Sequence, residues 1–314
     1  MNKSAIVRIV IWSVVAMLLS AFLVSALTFD ILGSLSEYFN FGSKLVHYDE
    51  KDYNKGNFTT ADDINTFQIY WISGNVDLSF YNGSVIKAEE SSDYNIEDDN
   101  TMRYRVKDGV LTIHPRKSGM LFHFGKRNKK RLTVQIPQSL AGNISLILID
   151  SVSARINLQD LSANKFRLKN VSGDVLLCNS NFESIDIENV SGDIKCNDII
   201  TDSLKMDTVS GQCEFVGSVQ KIDFDSVSGD IDIDSSVFPR EIDTDTVSGN
   251  AGFQFPTGDG FTADLDSVSG ELDCNVPLIN NKKSFKYGDG SAKYDFESVS
   301  GDVTIHIKED QSSV

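Results

Sequence analysis

The sequence predicts an all-β protein whose main body is a β-solenoid, a stack of short parallel strands. Two observations carry this prediction. A Val-Ser-Gly tripeptide recurs seven times, and the steps between successive valines are 19, 19, 18, 20, 21 and 31 residues. Apolar and polar residues alternate on both sides of each tripeptide, which is typical of strands with one buried face. A unit of about 19 residues cannot bury its own apolar face, so successive units must stack.

Each repeat is numbered here from its valine as position zero. Positions −5, −3, +4 and +6 are apolar in most repeats, for example Ile185, Ile187, Ile194 and Cys196 around Val190. The pattern predicts two short strands joined at a Ser-Gly corner, with the valine in the core and the serine hydrogen-bonded to the next coil. The corner glycines are expected to supply a positive φ or a close approach of two backbones. They are Gly173, Gly192, Gly211, Gly229, Gly249, Gly270 and Gly301.

The regular repeats extend over residues 147–308, because Ile147 to Leu158 follows the same pattern without the glycine. Residues 61–146 alternate in the same way over shorter stretches, and Asp108-Gly109 within them predicts a β-hairpin. A β-propeller is the second architecture considered. Its blades need about 40 residues, which pairs of repeats would have to supply, so the single-unit period favours the solenoid.

The N-terminus carries a run of 21 residues without a charge, Ile9–Phe29, which is long enough to cross a bilayer. Lys3 and Arg8 favour a cytoplasmic N-terminus, so we expect a single-pass cell-membrane protein with an extracytoplasmic C-terminal domain. The alternatives are a signal peptide cleaved near Val24-Ser25-Ala26, which gives a secreted protein, and a buried soluble helix. The predicted segments are a basic N-terminus (1–8), an anchor (9–29), a juxtamembrane spacer (30–60), an irregular β-region (61–146), regular repeats (147–308) and a tail (309–314).

The formal net charge of −16 is unevenly distributed. From Val171 to Val314 there are 28 acidic and 9 basic residues, whereas the first 170 residues hold 17 acidic and 20 basic ones. An acidic half repels phosphate backbones, so the composition argues against nucleic acid as a partner. The same charge would attract cations or a basic partner.

The four cysteines show no metal-ligand spacing and no CxxC pair. In the repeat Cys196, Cys213 and Cys274 occupy positions that hold Ile or Phe elsewhere, so we expect the cysteines to be small buried apolar side chains. They are Cys178, Cys196, Cys213 and Cys274.

Two outward positions of the repeat, −2 and +3, are mostly acidic. In a stack they become columns of carboxylates about 5 Å apart, whose repulsion must be screened, bridged or removed by protonation. One interpretation is a solvated corner at which Asp and Asn cap backbone amides. The other is weak Ca²⁺ or Mg²⁺ binding, since hard cations prefer clustered oxygens, and no other cofactor is expected. The residues considered for it are Asp193, Asp207, Asp225, Asp230, Asp245 and Asp266.

A basic segment precedes the strand predicted at Leu132–Ile136. Blocks of like charge are usually solvated loops. The functional alternative is contact with anionic lipid headgroups or cell-wall polymers. Its cations are Lys126, Arg127, Lys129, Lys130 and Arg131.

The repeat, with an acidic residue at −2 and Asp, Asn or Glu after the glycine, resembles the bacterial "putative adhesin" β-strand-repeat family, a domain of unknown function. Tyr287-Gly288-Asp289-Gly290 and Leu132–Pro137 also resemble that family, and the resemblance covers about Thr66 to Lys308. It implies a right-handed β-solenoid, often with an N-terminal membrane anchor and an association with cell-envelope stress systems. It implies no catalytic residues.

These patterns favour a membrane-anchored, extracytoplasmic module that binds or scaffolds a cell-wall polymer or an envelope protein and is not an enzyme. One alternative is a β-helix enzyme acting on polysaccharides. Most carboxylates obey the repeat, whereas a catalytic set should break it, so its candidates are Asp259, Asp289 and Lys286 in irregular loops. The other alternative is a regulatory partner of membrane proteins.

Overall fold

The structure is a computed structural model that describes residues 47–119, 130–281 and 283–308. These residues form two compact units, the first ending at Asn189 and the second beginning at Val190. Within them, no helix has the length and apolar character needed to span a membrane. The expected anchor and the expected tail lie outside the described residues, so both stay predictions.

The first unit is built almost entirely of strands, with two short 3-10 turns at Asp98–Asn100 and Gln138–Leu140. Its first two strands lie in the segment predicted as a juxtamembrane spacer, so the β-structure begins earlier than expected. The strands are β1 (Asn54–Lys55), β2 (Phe58–Thr60), β3 (Thr66–Tyr81), β4 (Ile86–Ser92), β5 (Arg103–Lys107), β6 (Val110–His114), β7 (Lys130–Pro137), β8 (Leu146–Gln159), β9 (Ser162–Ser172) and β10 (Val175–Ser191).

Parallel pairing in the first unit does not follow the order of the chain. β3 pairs with β8 from Thr66 opposite Leu146 to Ser79 opposite Gln159, and β8 pairs with β9 and β10. On its other side β3 pairs with β6 and β7. Antiparallel strands continue the sheet beyond these two. β4 pairs with β7 and β2 with β4, whereas β5 pairs with β6 and β1 with β5. Capping strands of this kind protect an otherwise open sheet edge.

The turn between β5 and β6 is the hairpin predicted at Asp108-Gly109. Both residues have positive φ, 52° and 75°. Asn, Asp and Gly tolerate this conformation, which two-residue hairpin turns of the favoured hand require. The antiparallel pairing of Lys107 with Val110 confirms this local prediction.

The second unit is a stack of parallel coils, each consisting of a strand before the valine and a strand after it. The strands are β11 (Ile194–Thr208), β12 (Cys213–Ser226), β13 (Ile231–Ser235), β14 (Glu241–Thr246), β15 (Ala251–Pro256), β16 (Gly260–Ser267), β17 (Leu272–Cys274), β18 (Ile279–Asn281), β19 (Ser284–Gly288), β20 (Ala292–Ser298) and β21 (Val303–Lys308). We call β14 with β15 the Val247 coil, β16 with β17 the Val268 coil, and β20 with β21 the Val299 coil.

The last repeat in the sequence is not the last coil in space. β20 pairs with β14 on one side and with β16 on the other, and β21 likewise lies between β15 and β17. The Val299 coil is thus inserted between the Val247 and Val268 coils. The segment between β17 and β20 forms an antiparallel hairpin, β18 with β19, and β19 covers the far side of β16. The all-β, stacked-repeat prediction is confirmed, but the expectation of simple sequential stacking is wrong.

The corner of each coil differs in one respect from the prediction. The valines are half-buried or exposed, and Val268 is 58% exposed, so the expectation that they join the core is wrong. Because positions −5 and −3 point inward, strict alternation puts position −1 inward and the valine outward. Position −1 is always Ser, Asn or Thr, and its buried members are Ser151, Asn170, Asn189, Thr208, Ser226, Thr246 and Ser298.

Side chains at positions −1 and +1 tie the corners together. Ser226 Oγ accepts a hydrogen bond from the Gly229 amide at 2.7 Å, within its own corner. At five corners the serine after the valine donates to the valine carbonyl of a neighbouring coil, as Ser228 Oγ does to Val209 O at 3.2 Å. The buried hydroxyl of Ser226 is therefore satisfied within its own corner, as buried hydroxyls require.

The corner glycines stack directly on one another. A Cβ on Gly249 would lie 1.9 Å from the carbonyl oxygen of Gly229, and one on Gly301 would lie 1.9 Å from that of Gly249. Gly211 has a φ of 121°, so there both the conformation and the space require glycine. At Gly249 and Gly301 no side chain larger than hydrogen fits between the coils.

The four cysteines are free thiols. Cys196 and Cys213 are buried, and Cys178 and Cys274 are half-buried. Burial, and after it the charge of Asp193, raises the pKa of Cys213 to about 12, so its thiol is protonated and poorly reactive.

Candidate functional site: an acidic face on the second unit

The strongest charge feature in the second unit lies on the outward side of the strands that precede the valines. Positions −4 and −2 alternate with the buried positions −5, −3 and −1, so both point to solvent. We define the acidic face as the eight carboxylates that these positions carry on β12, β14, β20 and β16. They are Asp223, Asp225, Asp243, Asp245, Asp295, Glu297, Asp264 and Asp266.

The parallel register aligns these side chains in two ladders. In the −2 ladder Asp225 lies opposite Asp245, which lies opposite Glu297. In the −4 ladder Asp223, Asp243 and Asp295 are aligned in the same way. Neighbouring strands are about 4.8 Å apart, so each carboxylate on β14 and β20 has like-charged neighbours on both adjacent strands, a destabilising arrangement.

One lysine partly neutralises the end of the acidic face. Lys205 on β11 places its Nζ 2.9 Å from Asp223, 3.2 Å from Asp207 and 3.7 Å from Asp225. Burial alone would lower the pKa of Lys205, but the hydrogen bonds and charges of Asp223 and Asp207 raise it above its ordinary value. At the other end of the face Lys283 forms an ion pair with Asp266.

The middle of the face retains its excess negative charge. Burial, followed by the charges of Glu297 and Asp243, raises the pKa of Asp245 to about 6. Burial also raises the pKa of Asp243, with Asp295 as the next cause, and that of Asp225, where Lys205 opposes the shift. A cationic group placed on these ladders would relieve the repulsion.

The +3 column has a different role. Asp193 accepts a hydrogen bond from the Gln212 amide at 3.1 Å, and Asp230 accepts one from the Asn250 amide at 2.8 Å. The side chains at this position thus cap backbone amides of the adjacent coil, which is the first of the two sequence interpretations. Of the residues considered for a cation, Asp193 and Asp230 therefore lie apart in role from Asp207, Asp225, Asp245 and Asp266.

The arrangement of the acidic side chains also bears on whether they could bind Ca²⁺ or Mg²⁺. Among the residues that it describes, no three or more His, Cys, Asp or Glu side chains are grouped so as to hold a metal ion. The −2 carboxylates form a line along the stack and do not converge on one point. A line of this kind suits an extended cationic partner better than a single ion.

The basic segment divides into two parts. Lys126, Arg127 and Lys129 lie outside the described residues. Lys130 does not face an anionic surface: its side chain is 12% exposed, forms an ion pair with the buried Glu90 and donates to Asn100 O at 2.6 Å. Neither interpretation of the basic segment holds for Lys130, because alternation along β7 turns its side chain to the same side as the buried Leu132 and Val134.

Lys130 and Arg131, the two described cations of this segment, differ in their surroundings. Arg131 remains largely exposed, with its Nε 3.4 Å from Asp77. The Nζ of Lys130 lies 5.0 Å from the ring centroid of Trp71, and burial lowers the pKa of this lysine against the opposing charge of Glu90. A cation enclosed by an aromatic ring and a carboxylate stabilises the cap and is not available to a ligand.

The three candidates for catalysis lie around the crossover that leads from β19 to β20. The Asp259 carbonyl accepts the Asp289 amide at 3.0 Å, and Asp289 Oδ1 accepts the Ser291 amide at 2.9 Å. Lys286 is paired in register with Thr262 of β16. These residues depart from the repeat pattern because the chain crosses from one side of β16 to the other here.

A second surface feature is a groove of about 640 Å³ on the outward side of the strands that follow the valines. Glu214, Asp232, Gln254 and His306 line it, and Gly252 forms its floor because it has no side chain there. A Cβ on Gly252 would lie 2.6 Å from Asp232 Oδ1. The groove therefore places the carboxylates of Glu214 and Asp232 on a second side of the unit.

Sequence reasoning missed half of the acidic face. It identified position −2 but not position −4, although Asp223, Asp243, Asp264 and Asp295 recur there in register. The signal was present in the alignment of the repeats. Two outward positions on one strand lie about 6.6 Å apart, so the two columns form one surface.

No curated protein matches the chain. Among solved structures, a "putative lipid binding protein" from Parabacteroides distasonis has a TM-score of 0.48 and 14% identity over 82% of this chain and 98% of its own. A "putative adhesin" from the same species gives 0.47 and 16% over 84% and 99%, and one from Parabacteroides merdae gives 0.43 and 15% over 82% and 97%. Toastrack DUF4097 matches residues 64–306, and the chain belongs to this family, which confirms the resemblance inferred from the repeats.

Proposed function

We propose that this chain is a non-enzymatic binding module of the bacterial cell envelope, and that its acidic face binds a polycationic partner. The observation that carries the proposal is the pair of parallel carboxylate ladders, whose repulsion at Asp243 and Asp245 is relieved by an incoming cation. A partner with positive charges along an extended chain matches ladders with a repeat of about 4.8 Å.

The non-enzymatic part of the proposal rests on the positions of the carboxylates in the fold. The carboxylates of the acidic face repeat from coil to coil, and Asp259 and Asp289 serve the crossover. A catalytic acid and base should break the repeat pattern, whereas these carboxylates follow it in register. The envelope location is proposed from the uncharged run Ile9–Phe29, which would anchor the chain in the membrane with its repeats outside.

The test is titration of the full-length protein with an oligolysine peptide at increasing salt concentrations. We expect saturable binding that weakens with salt, since exposed charges are screened. The triple variant Asp243→Asn, Asp245→Asn, Asp295→Asn should bind roughly tenfold more weakly, from about 0.5 kcal/mol per charge. A matched control replaces three exposed carboxylates elsewhere, Asp63, Asp93 and Asp202, by Asn.

The outcomes are distinct. Equal weakening in the triple variant and its control would refute the acidic face as the binding surface, because only net charge would then matter. Release of soluble fragments from purified peptidoglycan or acidic polysaccharide by the wild-type protein would refute the non-enzymatic part. Fractionation of cells followed by protease treatment of intact ones tests the location, since an anchored extracytoplasmic module is membrane-bound and cleaved from outside.

A further inference from the structure

The Val299 coil occupies a slot between two coils that precede it in the chain. β20 makes a six-residue parallel register with β14, from Lys293 opposite Glu241 to Ser298 opposite Thr246, and a seven-residue one with β16. Its partners on β14 lie 52 residues earlier in sequence. Pairing over such a separation is slow to form, because a long loop must close first.

The walls of the slot hold this coil through side chains as well. Tyr294 is buried and its hydroxyl donates to Pro239 O at 3.0 Å. Phe296 is buried with its ring centroid 5.7 Å from that of Phe253, and Lys308 forms an ion pair with Asp234. All three partners precede the Gly288–Ser291 crossover in the sequence. An identical coil from a second copy of this chain would make the same contacts.

The crossover that brings the coil into the slot is short and conformationally demanding. Gly288 and Gly290 have φ of 57° and 75°, and a Cβ on Gly288 would lie 2.2 Å from the Asp259 carbonyl oxygen. Ser291 Oγ reaches back to Gly260 O at 3.3 Å. In four residues the chain passes from one side of β16 to the other, and short, tightly constrained connections of this type favour exchange between copies.

The flanking coils carry compatible patterns. The Val247 and Val268 coils present inward residues to the Val299 coil at the same register positions, for example Ile242 and Ala263 opposite Tyr294. When the C-terminal segment is out of place, the slot keeps two unpaired parallel edges. Unpaired edges of this kind recruit another strand.

We propose that residues 292–308 exchange between copies of this chain, so that the Val299 coil of one copy fills the slot of another. The Gly288–Ser291 crossover is the hinge of the exchange. Because the exchanged pair keeps every contact of the slot, only the hinge and the loss of translational freedom distinguish it from the monomer. Copies concentrated in a membrane would exchange more readily than dilute ones.

The test uses two full-length copies with different affinity tags, both carrying Cys274→Ser to remove the half-buried thiol near the slot. One copy carries Asp243→Cys and the other Asp295→Cys, at positions that face outward and pair in register. The copies are refolded together and treated with a short bis-maleimide. Each copy has a single introduced thiol, so an exchanged pair alone brings the two together in register.

We expect a covalent heterodimer carrying both tags. A second pair, Gln254→Cys with His306→Cys, tests the other strand of the same coil and guards against misfolding of the first. Asp202→Cys combined with Asp295→Cys is the matched control and should give at least tenfold less product. Gly288→Ala should raise the heterodimer fraction several-fold, because a Cβ at the crossover disfavours the closed form.

Monomers at every concentration, with no cross-linking above the control for either pair and no increase with Gly288→Ala, would overturn the proposal. Cross-linking that is equal in the control would overturn it as well, since this would show random collision. Size-exclusion chromatography with light scattering on the untreated mixture gives an independent measure of the dimer fraction. Neither outcome depends on the acidic face binding a partner.

Discussion

Replacing Asp245 by Asn tests whether the acidic face destabilises the fold at neutral pH. Asp245 lies in the middle of the −2 ladder between Asp225 and Glu297, and burial with the neighbouring carboxylates raises its pKa from 3.8 to about 6. The shift means that the folded protein holds this proton more tightly than the unfolded chain. By linkage, the stability of the wild-type protein then falls as the pH rises from about 4 to about 6.

The magnitude follows from the shift. A change of about 2 pKa units corresponds to about 3 kcal/mol at 1.36 kcal/mol per unit. The side chain is half-buried, so solvent screening reduces this to about 1 kcal/mol. Asp245→Asn removes the charge in both states. We therefore expect the variant to be more stable than the wild type by about 1 kcal/mol at pH 7.5, and no more stable at pH 4.

Hydrogen-exchange mass spectrometry of the full-length protein measures this effect locally. Peptides that cover β14 and β20 should exchange more slowly in Asp245→Asn than in the wild type at pH 7.5. At pH 4 the two proteins should exchange alike. Comparing variant and wild type at the same pH removes the intrinsic pH dependence of exchange. Asp202→Asn, which neutralises an exposed carboxylate on β11 of the same unit, is the control and should change neither rate.

Two results would refute the reasoning. Faster exchange in Asp245→Asn at pH 7.5 would show that the carboxylate stabilises the unit. An equal gain at both pH values would show that the effect comes from the shape or polarity of Asn and not from charge. The addition of 1 M salt is a further check, because the gain should shrink as the repulsion is screened.

Three further substitutions test the corner and the buried ion pair. Gly249→Ala would place a Cβ 1.9 Å from the Gly229 carbonyl oxygen, so urea denaturation should show a loss of about 3 kcal/mol. Ser226→Ala leaves the Gly229 amide without its acceptor and should cost about 1–2 kcal/mol by the same assay, whereas an unchanged midpoint would contradict this role. Glu90→Gln should cost about 3 kcal/mol by leaving Lys130 buried without its counter-ion, and amide exchange in β4 and β7 should accelerate.

Local features of the fold were predictable because they depend on residues close together in sequence. Alternation around each tripeptide predicts which side chains are buried, as Ile194 and Cys196 show. The glycine at each corner was predictable as well, since few other residues allow a positive φ or such close stacking. Continuing the alternation by one residue would also have placed position −1, and not the valine, in the core.

The acidic face was only partly predictable. Repeat alignment shows that positions −4 and −2 are charged, but the titration of a carboxylate depends on burial and on its neighbours in space. Asp193 and Asp245 look alike in sequence, yet one caps a backbone amide and the other has its pKa raised to about 6. The role of Lys130 likewise depends on Glu90 and Trp71, which a sequence run of cations does not reveal.

The period of the repeats and their buried faces are properties of the amino-acid sequence alone, because each rests on the two-residue alternation of a strand. The order of the coils was decided only in the tertiary structure. Nearly equivalent repeats offer the same apolar columns and glycine corners to any neighbour, so local pattern does not discriminate between orders. The crossover at Gly288–Ser291 and the hairpin of β18 and β19 do so, because they bring the Val299 coil inside and leave the Val268 coil covered by antiparallel strands.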